Sequence, residues 1–207
     1  MSLRLFVLRH GETVFTRERR FAGWRDVPLS DTGLRQCEAA AAALSDVGVT
    51  AVYSSPLERA RTSAEAIAKP HRLAVRVEPA FRELGFGEWE GRTRANVATQ
   101  SAALYETWRS APETFCAPGG ESLTAVANRV TTGIEALRAE HDGESVVLVT
   151  HAIVIRLIVL DGLGLGPARL WSIDASPAGI TELEYRDDWV TVHRMNTLAH
   201  LGAEAER

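Results

Sequence analysis

Lysine is almost missing from this 207-residue chain, where Lys69 stands alone beside 22 arginines. A basic excess is missing too, since 27 acidic residues against 23 basic ones leave a net charge of −4. Nucleic-acid binders carry a basic domain or a basic stripe, so no nucleic-acid partner is expected. Cysteine is scarce. Cys37 and Cys116 stand far apart with no C-x-x-C, which rules out a disulfide scaffold and a zinc knuckle. Long hydrophobic runs are absent as well. The most apolar stretch, residues 146–166, is broken by His151, Arg156 and Asp161, too polar a sequence to span a bilayer. The N-terminal run of residues 5–8 meets Arg9 after four residues, which is no export signal. A cytoplasmic protein with no membrane partner is the expectation. No Walker loop and no G-x-G-x-x-G following a strand is found, so no cofactor is expected, and no metal.

What is present suits a buried core: 45% of the residues are hydrophobic. Short β-rich runs at residues 3–8, 50–53, 74–77 and 145–150 read as strands, the first and last apolar enough to be buried on both faces. Residues 179–185 and 189–195 flank Arg186-Asp187-Asp188 as a hairpin at a sheet edge. Helical segments fall between the runs. One is capped by Ser30. One runs from Pro56 to about residue 69, with Pro70 expected to end it. A long one carries Leu123, Val126, Val130, Ile134 and Leu137 at three- and four-residue steps. Another starts near Ala152. This alternation predicts α/β architecture, a doubly wound three-layer α/β/α sandwich with a mostly parallel central sheet. A helical insert is expected near residues 94–116, and residues 1–207 read as a single domain with about the last eight residues frayed.

In such a sheet, ligands bind beyond the carboxyl ends of the strands. The first strand runs into Arg9-His10-Gly11-Glu12. The second exits through Ser54-Ser55-Pro56 and reaches Arg59 within a helical turn. The strand at 145–150 ends in His151. Either histidine alone reads as a hydrogen-bonded structural residue. If these strands are parallel neighbours, two imidazoles and two guanidiniums converge on one rim, which repels a metal cation and suits an oxyanion.

These residues sit in ordered blocks: R-H-G-E-T at 9–13, R-F-A-G-W-R-D-V-P-L-S at 20–30, S-S-P-L-E-R-A at 54–60, R-E-L-G-F-G-E-W-E-G at 82–91, P-G-G-E-S at 118–122 and T-H at 150–151. In this order they resemble the histidine phosphatase superfamily, the phosphoglycerate mutase-like proteins, and within it the phosphatase branch. The resemblance implies phosphoryl transfer through a phosphohistidine. His10 is then the nucleophile, Arg9, Arg59 and His151 grip the transferred group, and Glu83 protonates the leaving oxygen and later activates water. Gly11 offers the carbonyl that fixes the His10 tautomer. Thr16, Gly11, Gly23, Glu121 and Ala152 are the implied substrate-binding positions.

The chemistry demands such groups. A monoester dianion repels a nucleophile until its peripheral oxygens are neutralised, the attacking imidazole must be unprotonated, and the acid must hold its proton through burial. For Glu83 the competing reading is a surface ion pair with Arg82, and Arg17, Arg19 and Arg20 read as a solvated loop. Arg156 reads as structural. Tyr105, Trp108 and Phe115 either cover a bound organic group or pack the insert onto the body. One position departs from the family pattern: Thr16 stands where asparagine is common, and its hydroxyl differs in reach.

The implied function is a metal-independent phosphomonoesterase acting on small phosphorylated metabolites, such as sugar phosphates, phosphoglycerates or α-ribazole phosphate. The alternative is a bisphosphoglycerate-dependent phosphoglycerate mutase, which the 20–30 block resembles. The E-L-G-F-G-E-W-E-G block and the shorter body resemble the phosphatases instead. A third reading is a catalytically silent phospho-ligand-binding or adaptor protein, which the presence of both His10 and Glu83 disfavours. A homodimer is left open.

Overall fold

A computed structural model describes residues 2–206, with side chains through residue 202. In chain order the elements are β1 (Ser2–Arg9), α1 (Val14–Arg17), α2 (Asp31–Leu44), β2 (Val49–Ser54), α3 (Glu58–His71), β3 (Val75–Val77), α4 (Arg94–Gln100), α5 (Ala102–Ser110), α6 (Leu123–Glu140), β4 (Glu144–Thr150), α7 (Ala152–Gly162), β5 (Ile180–Arg186) and β6 (Trp189–Thr197), with short 3-10 turns between some of them.

The most apolar strands take the middle of the sheet, whose order is β3-β2-β4-β1-β5-β6. Neighbours are parallel from β3 through β1, and β5 alone runs against the others. Alternation along the strands sorts the core into two layers. Leu3, Leu5 and Val7 of β1 join Val146 and Leu148 of β4 against α6 and α7. Phe6 and Leu8 join Val147 and Val149 against α2 and α3. The result is the expected doubly wound sandwich of helices, sheet and helices.

Local signals set the helices. Ser30 Oγ accepts the Gly33 N–H at 3.1 Å, Thr93 Oγ1 that of Asn96 at 3.1 Å and Ser122 Oγ that of Ala125 at 3.2 Å. Caps of this kind contribute about 1 kcal/mol each. All five apolar residues spaced along α6 are buried. The expected insert forms α4 and α5, closed by an aromatic cluster in which Trp108 and Phe115 lie 4.7 Å apart and Trp89 and Phe115 4.9 Å apart. Phe115 belongs to that core and is fully buried.

Three expectations needed revision. Pro70 does not end α3 but sits in its last turn. A proline there forfeits one backbone bond and leaves the earlier turns intact; the helix stops at Arg72, which turns left-handed at φ 57°. The segment read as a solvated loop begins with the one-turn helix α1, capped by Thr13, and only Arg17 and Arg19 of its arginines are exposed. The tail expected to fray has a packed start: Leu201 is buried and His200 Nε2 lies 3.1 Å from the Ala178 carbonyl. The remainder of that expectation reaches Arg207, outside the described residues.

The strand ends define the site. Arg9 pairs with Thr150 across β1 and β4, and Ser54 of β2 pairs with Val149. His10, Ser55 and His151 therefore leave three adjacent strands at one level. The chain departs from β1 toward α2 on one face and from β4 into α7 on the other. That switch opens the crevice where α/β sheets bind ligands.

Candidate active site

His10 leaves β1 with its backbone N–H on the Thr150 carbonyl at 3.0 Å. Its Nδ1–H donates to the Gly11 carbonyl at 2.7 Å. A carbonyl only accepts, so this bond fixes the proton on Nδ1 and leaves the Nε2 lone pair outward. Arg59 Nε donates to that lone pair at 3.2 Å. Burial, with the Arg59 and Arg9 charges adding to it, holds His10 well below the ordinary imidazole range. The imidazole is neutral, with its unprotonated Nε2 beside the Arg59 guanidinium.

Arg59 is itself buried and locked. Its Nη1 donates to the Arg25 carbonyl at 2.7 Å and its Nη2 to that of Gly23 at 2.8 Å. Gly23 supplies that carbonyl from a left-handed backbone, φ 52°, and a Cβ there would lie 2.0 Å from Glu90 Oε1. Arg9 anchors one Nη1 on the Ala175 carbonyl at 2.8 Å, and burial brings its pKa down to about 10. His151 stands edge-on to His10, ring centres 5.2 Å apart. Its Nε2 lies 2.6 Å from Ser55 Oγ while its Nδ1 is buried without a partner. Burial, then Arg59, keeps this imidazole neutral as well. His151 therefore offers a hydrogen bond and no charge.

Glu83 faces the same cleft. Its Oε1 accepts the Leu84 N–H at 2.9 Å. Burial raises its pKa against the opposing pull of that bond and of Arg59 and Arg9. The competing ion pair with Arg82 does not form, because Arg82 stacks on the Trp24 ring at 3.6 Å. Trp24 Nε1 and Arg129 Nη2 both donate to the Glu83 carbonyl, at 2.9 and 3.1 Å.

The cleft brings together Arg9, His10, Thr16, Gly23, Arg59, Glu83 and Ala152. Thr16 keeps its hydroxyl 3.1 Å from Thr13 Oγ1. The fully buried His151 touches His10 from behind the wall, and Gly11 acts through its carbonyl from the same buried layer. Glu121 does not reach the cleft. Its carboxylate accepts the Gly85 N–H at 3.0 Å and pairs with Arg129 at 3.1 Å, so it braces the loop carrying Glu83. Arg156, read as structural, both donates Nε to the Ile173 carbonyl at 2.7 Å and lines the cleft with Arg20 and Arg94.

One support escaped the sequence reading. Ser63 Oγ accepts the Gly11 N–H at 3.1 Å and a hydrogen bond from Cys37 Sγ at 3.1 Å, and donates to the Arg59 carbonyl at 2.7 Å. It ties the His10 loop to the helix carrying Arg59. A serine one turn after Arg59 was the only signal available.

Residues 5–198 match the family model described as the histidine phosphatase superfamily, branch 1. A bifunctional protein of Mycobacterium tuberculosis is 34% identical over 200 residues, covering 96% of this chain and 55% of that protein; the chain thus spans about half the length of such relatives. Phosphoserine phosphatase 1 of Hydrogenobacter thermophilus is 30% identical over 200 residues, covering 97% of this chain and 95% of that one. A solved mycobacterial glucosyl-3-phosphoglycerate phosphatase superposes with a TM-score of 0.87 at 29% identity, over 96% of this chain and all (100%) of the other. With the model spanning nearly the whole sequence and the neighbours sharing its fold, the chain belongs to branch 1 of the histidine phosphatase superfamily.

Proposed function

We propose that this protein is a metal-independent phosphomonoesterase that hydrolyses small phosphorylated metabolites through a phosphohistidine on His10. The observation that carries the reading is the neutral His10 imidazole, its proton held on Nδ1 by Gly11 and its Nε2 beside Arg59. In the first step the Nε2 lone pair attacks phosphorus as the bond to the leaving oxygen breaks. Glu83 gives its proton to that oxygen. Arg9 and Arg59 hold the peripheral oxygens, over which charge is spread in the transition state, while the neutral His151, expected to grip the group too, is fully buried on Ser55 and backs the His10 ring. In the second step water attacks phosphorus as the P–Nε2 bond breaks, Glu83 takes a proton from that water, and inorganic phosphate leaves with the His10 lone pair restored.

The phosphatases among the relatives and neighbours, named for phosphoserine and for glucosyl-3-phosphoglycerate, support the hydrolytic reading. Residues 1–207 act as one domain in this account. The site lies in the cytoplasm and engages neither nucleic acid nor membrane, and a homodimer is compatible with it. Among the described residues no helix is long and apolar enough to cross a membrane.

The test is phosphate release from p-nitrophenyl phosphate and a panel of metabolite monoesters, with and without EDTA, beside a mutase assay primed with bisphosphoglycerate. Turnover that EDTA leaves unchanged, without mutase activity, is expected. A metal requirement or dominant mutase activity contradicts the proposal.

A further inference from the structure

Glu83 is the one carboxyl that lines the cleft, and it sits on a segment without regular structure. Residues 82–86 belong to no helix or strand, and Glu83 through Phe86 are buried. No ladder of backbone bonds sets their path. Buried carbonyls still require donors, so the groups that supply those donors decide where the carboxyl stands.

Most of them come from one side chain. Arg129, in the second turn of α6, donates Nη1 to the Ala80 carbonyl at 2.7 Å and Nη2 to the Glu83 carbonyl at 3.1 Å. It also grips Glu121 with both ends of its fork, Nε on Oε1 at 3.3 Å and Nη2 on Oε2 at 3.1 Å. That Oε2 accepts the Gly85 N–H at 3.0 Å, and the Glu121 N–H donates to the Gly85 carbonyl at 2.9 Å. A single ion pair thus holds the segment before, at and after Glu83. Its side chains are only 22% and 19% exposed, so water screens it less than a surface pair. Trp24 Nε1 adds a second donor to the Glu83 carbonyl at 2.9 Å, and Thr150 Oγ1 donates to that of Phe81 at 2.7 Å. Arg129 itself stands outside the residues that line the cleft.

We propose that Arg129 is a positioning residue for the proton transfer: from behind the cleft wall it fixes the Glu83 peptide, and through it the carboxyl, against the leaving oxygen. This rests on the phosphatase reading and adds to it a residue that touches neither the substrate nor the reacting atoms. A planar guanidinium serves these separate acceptors at once, which the single nitrogen of a lysine cannot.

The experiment measures kcat/KM for p-nitrophenyl phosphate, phenyl phosphate and an alkyl phosphate, whose leaving oxygens need increasing protonation. Arg129→Gln is expected to lower the value for the alkyl ester by about 10- to 100-fold, the cost of a misplacement near 1 Å, and that for p-nitrophenyl phosphate by about threefold at most. In a Glu83→Gln background the same change should cost about twofold or less, because the proton it serves is already gone. Equal losses on all three esters, or a full loss retained in the Glu83→Gln background, overturn the proposal. Arg129→Lys keeps the charge beside Glu121 and should show the same selectivity in smaller measure; it decides the question if Arg129→Gln does not fold. If the wild type turns over no ester, the phosphatase reading fails separately. The Glu83 carboxyl, titrated by 13C NMR in wild type and Arg129→Lys, then decides whether Arg129 holds it: a shift toward the ordinary carboxyl value upholds the positioning role, and an unmoved titration overturns it.

Discussion

His10 and Glu83 face opposite demands in one small volume, and burial meets both. Removing water favours the uncharged form of each, which is the form the proposed mechanism needs of an imidazole nucleophile and a carboxyl acid. The neighbouring arginines reinforce the effect on His10 and oppose it on Glu83, yet burial is the larger cause in both. The pH dependence of kcat/KM follows from these directions. His10 must be unprotonated, and its lowered pKa puts that limb below 6.5; Glu83 must be protonated, and its raised pKa puts the other limb above 4.5. Glu83→Gln keeps the shape and removes the proton. It should lower kcat/KM for an alkyl phosphate by about 10²–10⁴-fold, lower that for p-nitrophenyl phosphate far less, and move the basic limb. Equal losses on both esters with an unmoved profile contradict the proton-donor role.

At the scale of elements, the site depends on backbones that approach closely. The His10–Thr13 loop crosses the start of α2 where Gly11 and Gly33 face one another. A Cβ on Gly33 would stand 2.1 Å from the Glu12 carbonyl, and one on Gly11 would stand 2.4 Å from that of Gly33. Backbone atoms cannot yield as a flexible side-chain tip can. Gly33→Ala should therefore destabilise by about 1–3 kcal/mol, lowering Tm by roughly 2–12 °C for a chain of this size. It should also lower kcat, because the displaced loop carries the Gly11 carbonyl that orients His10. Unchanged melting and turnover would show that this contact does not set the loop. The elements hardest to read were those whose signals are local and weak. The one-turn helix α1 lacks an apolar face, and the short 3-10 turns beside Glu83 owe their position to tertiary contacts such as the Glu88 N–H donating to the Pro118 carbonyl at 3.0 Å. Pro70 misled because a proline signals disruption without saying which side of the final turn it occupies.

At the scale of the molecule, the sheet order turns separate sequence blocks into one site. Two strands with unbroken apolar runs had to be central, and Arg9-His10, Arg59 and His151 follow strands, so their convergence was legible on the condition that those strands are parallel neighbours. The pairing of β1 with β4, although 135 residues separate Arg9 from Glu144 in sequence, could only be read from the resemblance or seen in the sheet. The roles of Ser63, Glu121 and Arg156 stayed hidden, because a hydroxyl or an ion pair behind the wall has no sequence pattern of its own. Arg94 and Arg20 were masked differently, in a chain so rich in arginine that position mattered more than number.

The most direct test mixes the enzyme briefly with a labelled monoester, quenches the reaction, and locates the protein-bound phosphoryl group. The account predicts an acid-labile, base-stable adduct on residue 10, with adduct and turnover both lost in His10→Ala. A label on any other residue, or hydrolysis that continues in His10→Ala, would contradict it.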